Sequence, residues 1–238
     1  MGEVGMANNY FDFKSFNDSD CLTDSLKDKI IECLSAGIKE KDYATLVLSG
    51  GSTPKKLLNK LSCVELDWHK VRVTLVDERW VDPLSTQSNE KLVRDNFLIN
   101  KAEKARFFHL KTNGQFAKDS ITALNVTFEK LSSPLDVVIL GMGLDGHTAS
   151  FFPYSKELAF MLSTDDFVCA STATVEPKER VTLSKNYLLS TQHLFLHIEG
   201  KKKKEVFLKA SESDDISKLP IVAMMQQQTP LLEVYYAD

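Results

Sequence analysis

Residues 136–153 read DVVILGMGLDGHTASFFP. Asp136 leads into Val137, Val138, Ile139 and Leu140, an apolar and largely β-branched run without polar alternation, which is the pattern of a strand covered on both faces. Gly141, Gly143 and Gly146 then break the run into a turn that presents Asp145 and His147. In open α/β sheets, ligands bind in the crevice beyond the carboxyl ends of the strands. The turn is therefore expected to face a pocket.

The same glycines spell G-x-G-x-x-G, and Asp165 and Asp166 follow about 20 residues later, which formally satisfies the dinucleotide-binding pattern. That pattern works only if a long helix starts inside the glycines and aims its N-terminus at a pyrophosphate. Here Phe151, Phe152 and Pro153 follow almost at once, so no such helix is expected and no cofactor is assigned.

A chain of 238 residues, 43% hydrophobic and 26% charged, is large enough to bury a substantial core. Nothing marks an internal boundary, so residues 10–238 are read as a single α/β domain behind a loose arm at 1–9. The net charge of −4 argues against a nucleic-acid partner, while leaving room for a locally positive pocket. The sequence is silent on protein partners and on whether Lys201 to Lys204 serve one. The four cysteines, at 21, 33, 63 and 169, show no C-x-x-C pairing, which suits reduced thiols in the cytoplasm. No secretory signal or membrane-length apolar run is visible. No metal site is expected either: His193 and His197 lie in an alternating, strand-like QHLFLHIEG, which would set them about 13 Å apart.

Leu22, Leu26, Ile30 and Leu34 recur at helical spacing, predicting a helix that ends near Gly37 and leads into a strand at 43–48. SGGSTPKKL, 49–57, follows as a Gly-rich turn opening a helix, with convergent N–H groups and the hydroxyls of Ser52 and Thr53 suited to an anion such as phosphate. A second strand at 71–76 delivers Asp77, Glu78 and Arg79 together toward the crevice. There Arg79 suits a phosphate or carboxylate, and Asp77 is a candidate acid–base group. Helices at 90–97 and 117–131 precede the strand that opens at Leu135. Beyond Pro153 candidate strands at 167–170, 180–183 and 193–198 make the chain more β-rich, with a helix at 201–210 and a final strand at 231–235. Alternation of this kind implies a largely parallel sheet between helices. His147 is the candidate general base, and Asp145 is placed to orient its imidazole. Lys201 to Lys204 open a helix against its macrodipole; most of the run is read as a solvated face, and at most one of the four is expected to reach the pocket.

Three loops in this order, GGSTP at 50–54, DERWV at 77–81 with Ser88 and Asn89 behind it, and GMGLDGHTASFFP at 141–153, together resemble the 6-phosphogluconolactonase family. That family sits within a larger group that includes glucosamine-6-phosphate deaminase. Arg180 with Thr182, Gly200 followed by Lys203, Glu205 and Val206, and Pro220 ahead of Met224, Met225 and Gln226 extend the resemblance. It implies a Rossmann-like, three-layer α/β/α sandwich with a mainly parallel sheet, a small antiparallel portion and no cofactor. It also implies hydrolysis of 6-phosphogluconolactone, with His147, Asp145 and Asp77 as catalytic residues. Gly50, Gly51, Ser52, Thr53, Arg79, Gly143, Arg180 and Lys203 would hold the phosphosugar. Two alternatives stand beside it, a sugar-phosphate deaminase or isomerase on the same scaffold and a non-catalytic sugar-phosphate sensor. Phe152 stands where the deaminase motif has Glu, and Arg79 where it has Tyr, so both positions favour the lactonase. Phe151, Tyr154, Lys178 and Glu179 depart from the lactonase pattern at the pocket rim and on the approach to Arg180.

Overall fold

The computed structural model describes residues 4–7, 10–131 and 134–238, the first four by their backbone alone. The chain passes from β1 (Val4–Ala7) and β2 (Phe11–Phe16) through α1 (Ser19–Lys41), β3 (Ala44–Leu48), α2 (Lys55–Ser62), β4 (Val71–Leu75), β5 (Asp77–Arg79) and α3 (Asn89–Asn96). It continues through β6 (Arg106–Phe107), α4 (Ala117–Glu129), β7 (Leu135–Leu140), α5 (Leu158–Ser163), β8 (Val168–Thr172) and β9 (Glu179–Leu183). It closes with α6 (Lys185–Leu189), β10 (Thr191–Glu199), α7 (Lys201–Ser211) and β11 (Leu232–Ala237).

Every residue of β3 and β7 is buried, the polar Thr45 and Asp136 along with the apolar side chains. Burying each such side chain contributes about 1.5–3 kcal/mol relative to leaving it in water. The two strands pair in parallel, Leu46 opposite Val137 and Val47 opposite Val138, at the centre of a sheet ordered β1-β2-β11-β10-β7-β3-β4-β6. All neighbours in it are parallel except β1 and β2. A separate antiparallel sheet, ordered β5-β9-β8, supplies the small antiparallel portion. From β3 the chain builds outward to β4 and β6, then returns to lay β7 on the other side of β3 and continues to β10 and β11. The β3–β7 boundary is thus a topological switch point, where the loops leaving neighbouring strands diverge and open a crevice.

Of the segment 1–9 read as an arm, Val4–Ala7 pairs antiparallel with β2, and residues 1–3, 8 and 9 lie outside the described set. Other expectations are corrected. The first helix does not end near Gly37 but continues to Lys41, and Asp42 closes it in the left-handed region at φ 65°. Gly37 serves close packing instead: a Cβ there would stand 2.3 Å from Asp136 Oδ1. Asp136, almost fully buried, accepts from Thr45 N at 2.8 Å and from Lys41 Nζ at 3.0 Å, tying α1, β3 and β7 at their ends opposite the crevice.

Asp77, Glu78 and Arg79 do not face the crevice together. They form a strand, so alternate side chains take opposite faces. Glu78 turns inward and accepts from Arg79 N (2.7 Å), Asn89 N (2.7 Å), Glu90 N (2.7 Å) and Ser88 Oγ (2.9 Å), capping the start of α3. Burial pushes its carboxyl above the usual range while these four donors pull the other way. The four cysteines are free, and no helix among the described residues is long and apolar enough to cross a membrane.

Two stability predictions follow from these contacts. Replacing a helical Gly by Ala ordinarily stabilises by up to about 1 kcal/mol. Gly37→Ala is instead expected to destabilise by about 1–3 kcal/mol in urea unfolding, because the methyl overpacks Asp136; a raised midpoint would refute the close-packing role. Glu78→Gln presents an amide N–H to a ring of donors and is expected to cost about 1–3 kcal/mol in the same measurement.

Candidate active site

The crevice beyond β3 and β7 holds a cavity of about 230 Å³. It is lined by Ser49 to Pro54, Asp77, Arg79, Asn89, Ile139 to Gly143, His147, Ala149, His197 and Lys203. Three separately expected loops therefore converge on one space. The seam between β3 and β7 is fastened at its open end by Ser49 Oγ, which donates to Ile139 O at 2.6 Å.

His147 sits in a turn closed by two backbone bonds, Gly143 N to His147 O at 2.9 Å and Gly146 N to Gly143 O at 3.1 Å. Its ring folds back over Gly143, where a Cβ would come within 2.3 Å of Nδ1 and Cε1, so only glycine fits beneath it. Asp145 Oδ1 lies 2.6 Å from His147 Nδ1 and also accepts from His147 N at 3.2 Å. The carboxylate fixes both ring orientation and tautomer, which leaves Nε2 as the nitrogen available to the cavity. Burial tends to raise the Asp145 carboxyl, but the hydrogen bond and charge of His147 outweigh it and hold the group below the usual carboxylate range. Phe152 stacks obliquely against the imidazole, with ring centroids 5.0 Å apart.

Asp77 reaches the same cavity from β5. Its Oδ2 accepts from Ser150 Oγ at 2.6 Å, and Asn89 Nδ2 donates to its backbone carbonyl at 2.9 Å. Arg79, on the same face of the strand, is steadied by donating from Nη1 to Gln87 O. On the opposite side Lys203, in the first turn of α7, donates to Thr53 Oγ1 at 3.2 Å. Burial pushes the Lys203 ammonium below its usual range, with Glu199 pulling back. Of the four consecutive lysines, Lys203 is the one that lines the cavity.

Arg180 stands apart from the other expected anion contacts. It is buried in β9, directly opposite Arg79 in the antiparallel register, and is not among the lining residues. Burial and the neighbouring Arg79 charge lower its pKa, and Nη1 has no hydrogen-bond partner among the described residues.

His197 does the reverse. Read in the sequence as an ordinary strand histidine, it lines the cavity from β10 while Nε2 lies 2.9 Å from Glu199 Oε1. Alternation within β10 put it on a face of the sheet, but only its level beside the end of β7, with Leu196 opposite Leu140, brings it to the crevice. Ser150 and Ala149 likewise carried no separate signal in the sequence. Among the described residues no group of three or more His, Cys, Asp or Glu side chains is arranged to hold a metal ion.

The family model for glucosamine-6-phosphate isomerases/6-phosphogluconolactonase matches residues 17–232. A 6-phosphogluconolactonase of Rhizobium meliloti is 42% identical over 93% of this chain and 97% of its own length. One from Mesorhizobium japonicum is 36% identical, covering 95% of both chains. The crystal structure of a 6-phosphogluconolactonase from Shewanella baltica superposes with a TM-score of 0.92 at 40% identity, covering 95% of this chain and 97% of that one. With these relatives matched along nearly their whole length and the cavity built from the three loops that carry the likeness, the chain belongs to the glucosamine-6-phosphate isomerase/6-phosphogluconolactonase family.

Proposed function

We propose that this chain hydrolyses 6-phospho-D-glucono-1,5-lactone to 6-phosphogluconate in the oxidative pentose phosphate pathway, as a cytoplasmic enzyme, with His147 as the base. The observation that carries the chemistry is the 2.6 Å contact between Asp145 and His147 Nδ1, which presents Nε2 to a cavity that also contains Arg79 and Lys203. The convergent N–H groups and hydroxyls of Gly50 to Thr53, together with Lys203 and Arg79, suit the phosphoryl group. Arg180, buried beside Arg79 on the neighbouring strand, adds positive charge near that wall.

In this reading His147 Nε2 takes a proton from water as the water oxygen attacks the lactone carbonyl. The tetrahedral intermediate then collapses, the bond from C1 to the ring oxygen breaks, and the imidazolium returns the proton to that oxygen as it becomes a hydroxyl. Asp145 stabilises the imidazolium between the two transfers. Asp77 serves a sugar hydroxyl or assists the proton movement. A lactone is an activated ester, so positioning and general-base assistance suffice for its hydrolysis.

The neighbouring chemistry of the family, ring opening and deamination of a sugar phosphate, is disfavoured by Phe152. The deaminase motif places a carboxylate there, whereas this chain puts an aromatic ring against His147.

The direct test generates fresh lactone from glucose 6-phosphate and follows 6-phosphogluconate with its dehydrogenase, subtracting spontaneous hydrolysis. His147→Ala is expected to lower kcat by roughly 10²- to 10⁴-fold with KM little changed. A variant that turns over normally would rule out the base. Arg79→Ala is expected to act mainly on KM, raising it about tenfold or more through loss of a charge-assisted contact; a purely kcat effect would place Arg79 elsewhere in the reaction.

A further inference from the structure

Ser150 is fully buried, yet its hydroxyl serves a carboxylate that lines the cavity, donating to Asp77 Oδ2 at 2.6 Å. It lies three residues beyond His147 in the same turn. The turn is tied down on both sides of Ala149. Thr148 Oγ1 donates to Gly141 O at 2.8 Å, Phe151 N to Thr148 O at 2.9 Å, and Ser171 Oγ to Ser150 O at 2.8 Å. Ser150 N points to Thr182 Oγ1 at 3.4 Å, so both β8 and β9 of the small sheet hold the residue in place. Between Thr148 and Ser150, Ala149 sits at φ 50°, a left-handed conformation that a residue with a Cβ keeps only where its surroundings impose it.

We propose that Ser150 is a positioning residue, which sets the Asp77 carboxylate at a fixed place relative to His147 so that both address one bound substrate. The inference rests on the reading of the cavity as a phosphosugar lactone site. Asp77 and His147 arrive on different elements, β5 and the turn after β7, and among the described residues no hydrogen bond joins their side chains directly. The Ser150 hydroxyl supplies the link, because one end of a rigid turn carries the imidazole and the other grips the carboxylate. A hydroxyl bonded to one carboxylate oxygen also fixes the plane of the group. Oδ1 then remains as the oxygen that accepts from a sugar hydroxyl, with Asn89 Nδ2 only 3.4 Å away as a weak second support. Both supports are neutral, so the negative charge of Asp77 stays available to the substrate.

A double-mutant cycle separates this role from a merely structural one. Ser150→Ala, Asp77→Ala and the double variant are compared for kcat/KM on the lactone and for the Kd of 6-phosphogluconate, so that a slow Asp77→Ala enzyme still closes the cycle through binding. With Asp77 intact, Ser150→Ala is expected to lower kcat/KM and affinity about tenfold, the loss of one hydrogen bond to a charged group. In the Asp77→Ala background, where no acceptor remains for the hydroxyl, the same change is expected to cost less than about twofold. Equal penalties in both backgrounds, or no penalty with Asp77 present, would overturn the proposal. A wild-type chain with neither lactonase activity nor affinity for 6-phosphogluconate would overturn the functional reading beneath it, which is a different result from an active wild type with additive variants.

Discussion

Glu78 stands almost entirely out of water yet gathers four hydrogen-bond donors on its two oxygens, and the geometry of the site depends on that arrangement. Three of those donors come from Ser88, Asn89 and Glu90, so the carboxylate welds the end of β5 to the start of α3. Burying a charge is costly unless donors surround it, and the first turn of a helix offers unpaired N–H groups at no extra cost. Once Glu78 is committed to the helix, strand alternation leaves Asp77 and Arg79 no choice but the cavity side. Asn89 is delivered at the same time, since its backbone N–H binds Glu78 while its side chain reaches back to Asp77. One inward carboxylate thus orients three cavity residues.

The larger frame follows from the order of the sheet. Because β3 and β7 lie side by side while their continuations run to opposite edges, the loops at 49–54 and 141–147 part and leave room between them. An open crevice alone would be shallow. The small sheet walls it, with β5 lending Asp77 and Arg79, and β8 and β9 lending the hydroxyls that brace Ser150. The parallel sheet therefore supplies the anion-suited turn and the histidine turn, and the antiparallel sheet fixes how deeply the carboxylate projects.

What was legible in the sequence was what depends on local pattern. The apolar runs of β3 and β7, the helix start after GGSTP, and the glycines around His147 each state their conformation within a few residues. The misreadings arose where a residue answers to a distant partner. Gly37 looks like a helix stop until Asp136, 99 positions later, is placed against it. Glu78 looks like a third crevice charge until α3 folds back on it. His197 is one of several alternating residues of β10, and its place at the cavity depends on inter-strand register, which no window of β10 contains. Ser150 is an unremarked small residue whose significance lies wholly in a contact to Asp77 across 73 positions of chain. Local signals located the loops of the site, while the supports that aim their side chains are long-range.

The distribution of charge inside the cavity carries the last step of the synthesis. A cation beside a carboxylate in a confined space pairs with it, and neither group then has its full charge left for a ligand. This chain keeps the two kinds apart through its choice of partners. Lys203 donates to the Thr53 hydroxyl and Arg79 to the Gln87 carbonyl, while Asp77 takes the Ser150 hydroxyl. Asp145 is spent on a titratable partner, as Glu199 is on His197, and the partner of Asp145 is the imidazole whose orientation the proposed reaction requires. Neutral hydrogen-bonding groups thus act as spacers that hold opposite charges in place without letting them cancel. A substrate that is an anion at one end and an electrophilic carbonyl at the other needs both charges uncancelled at once.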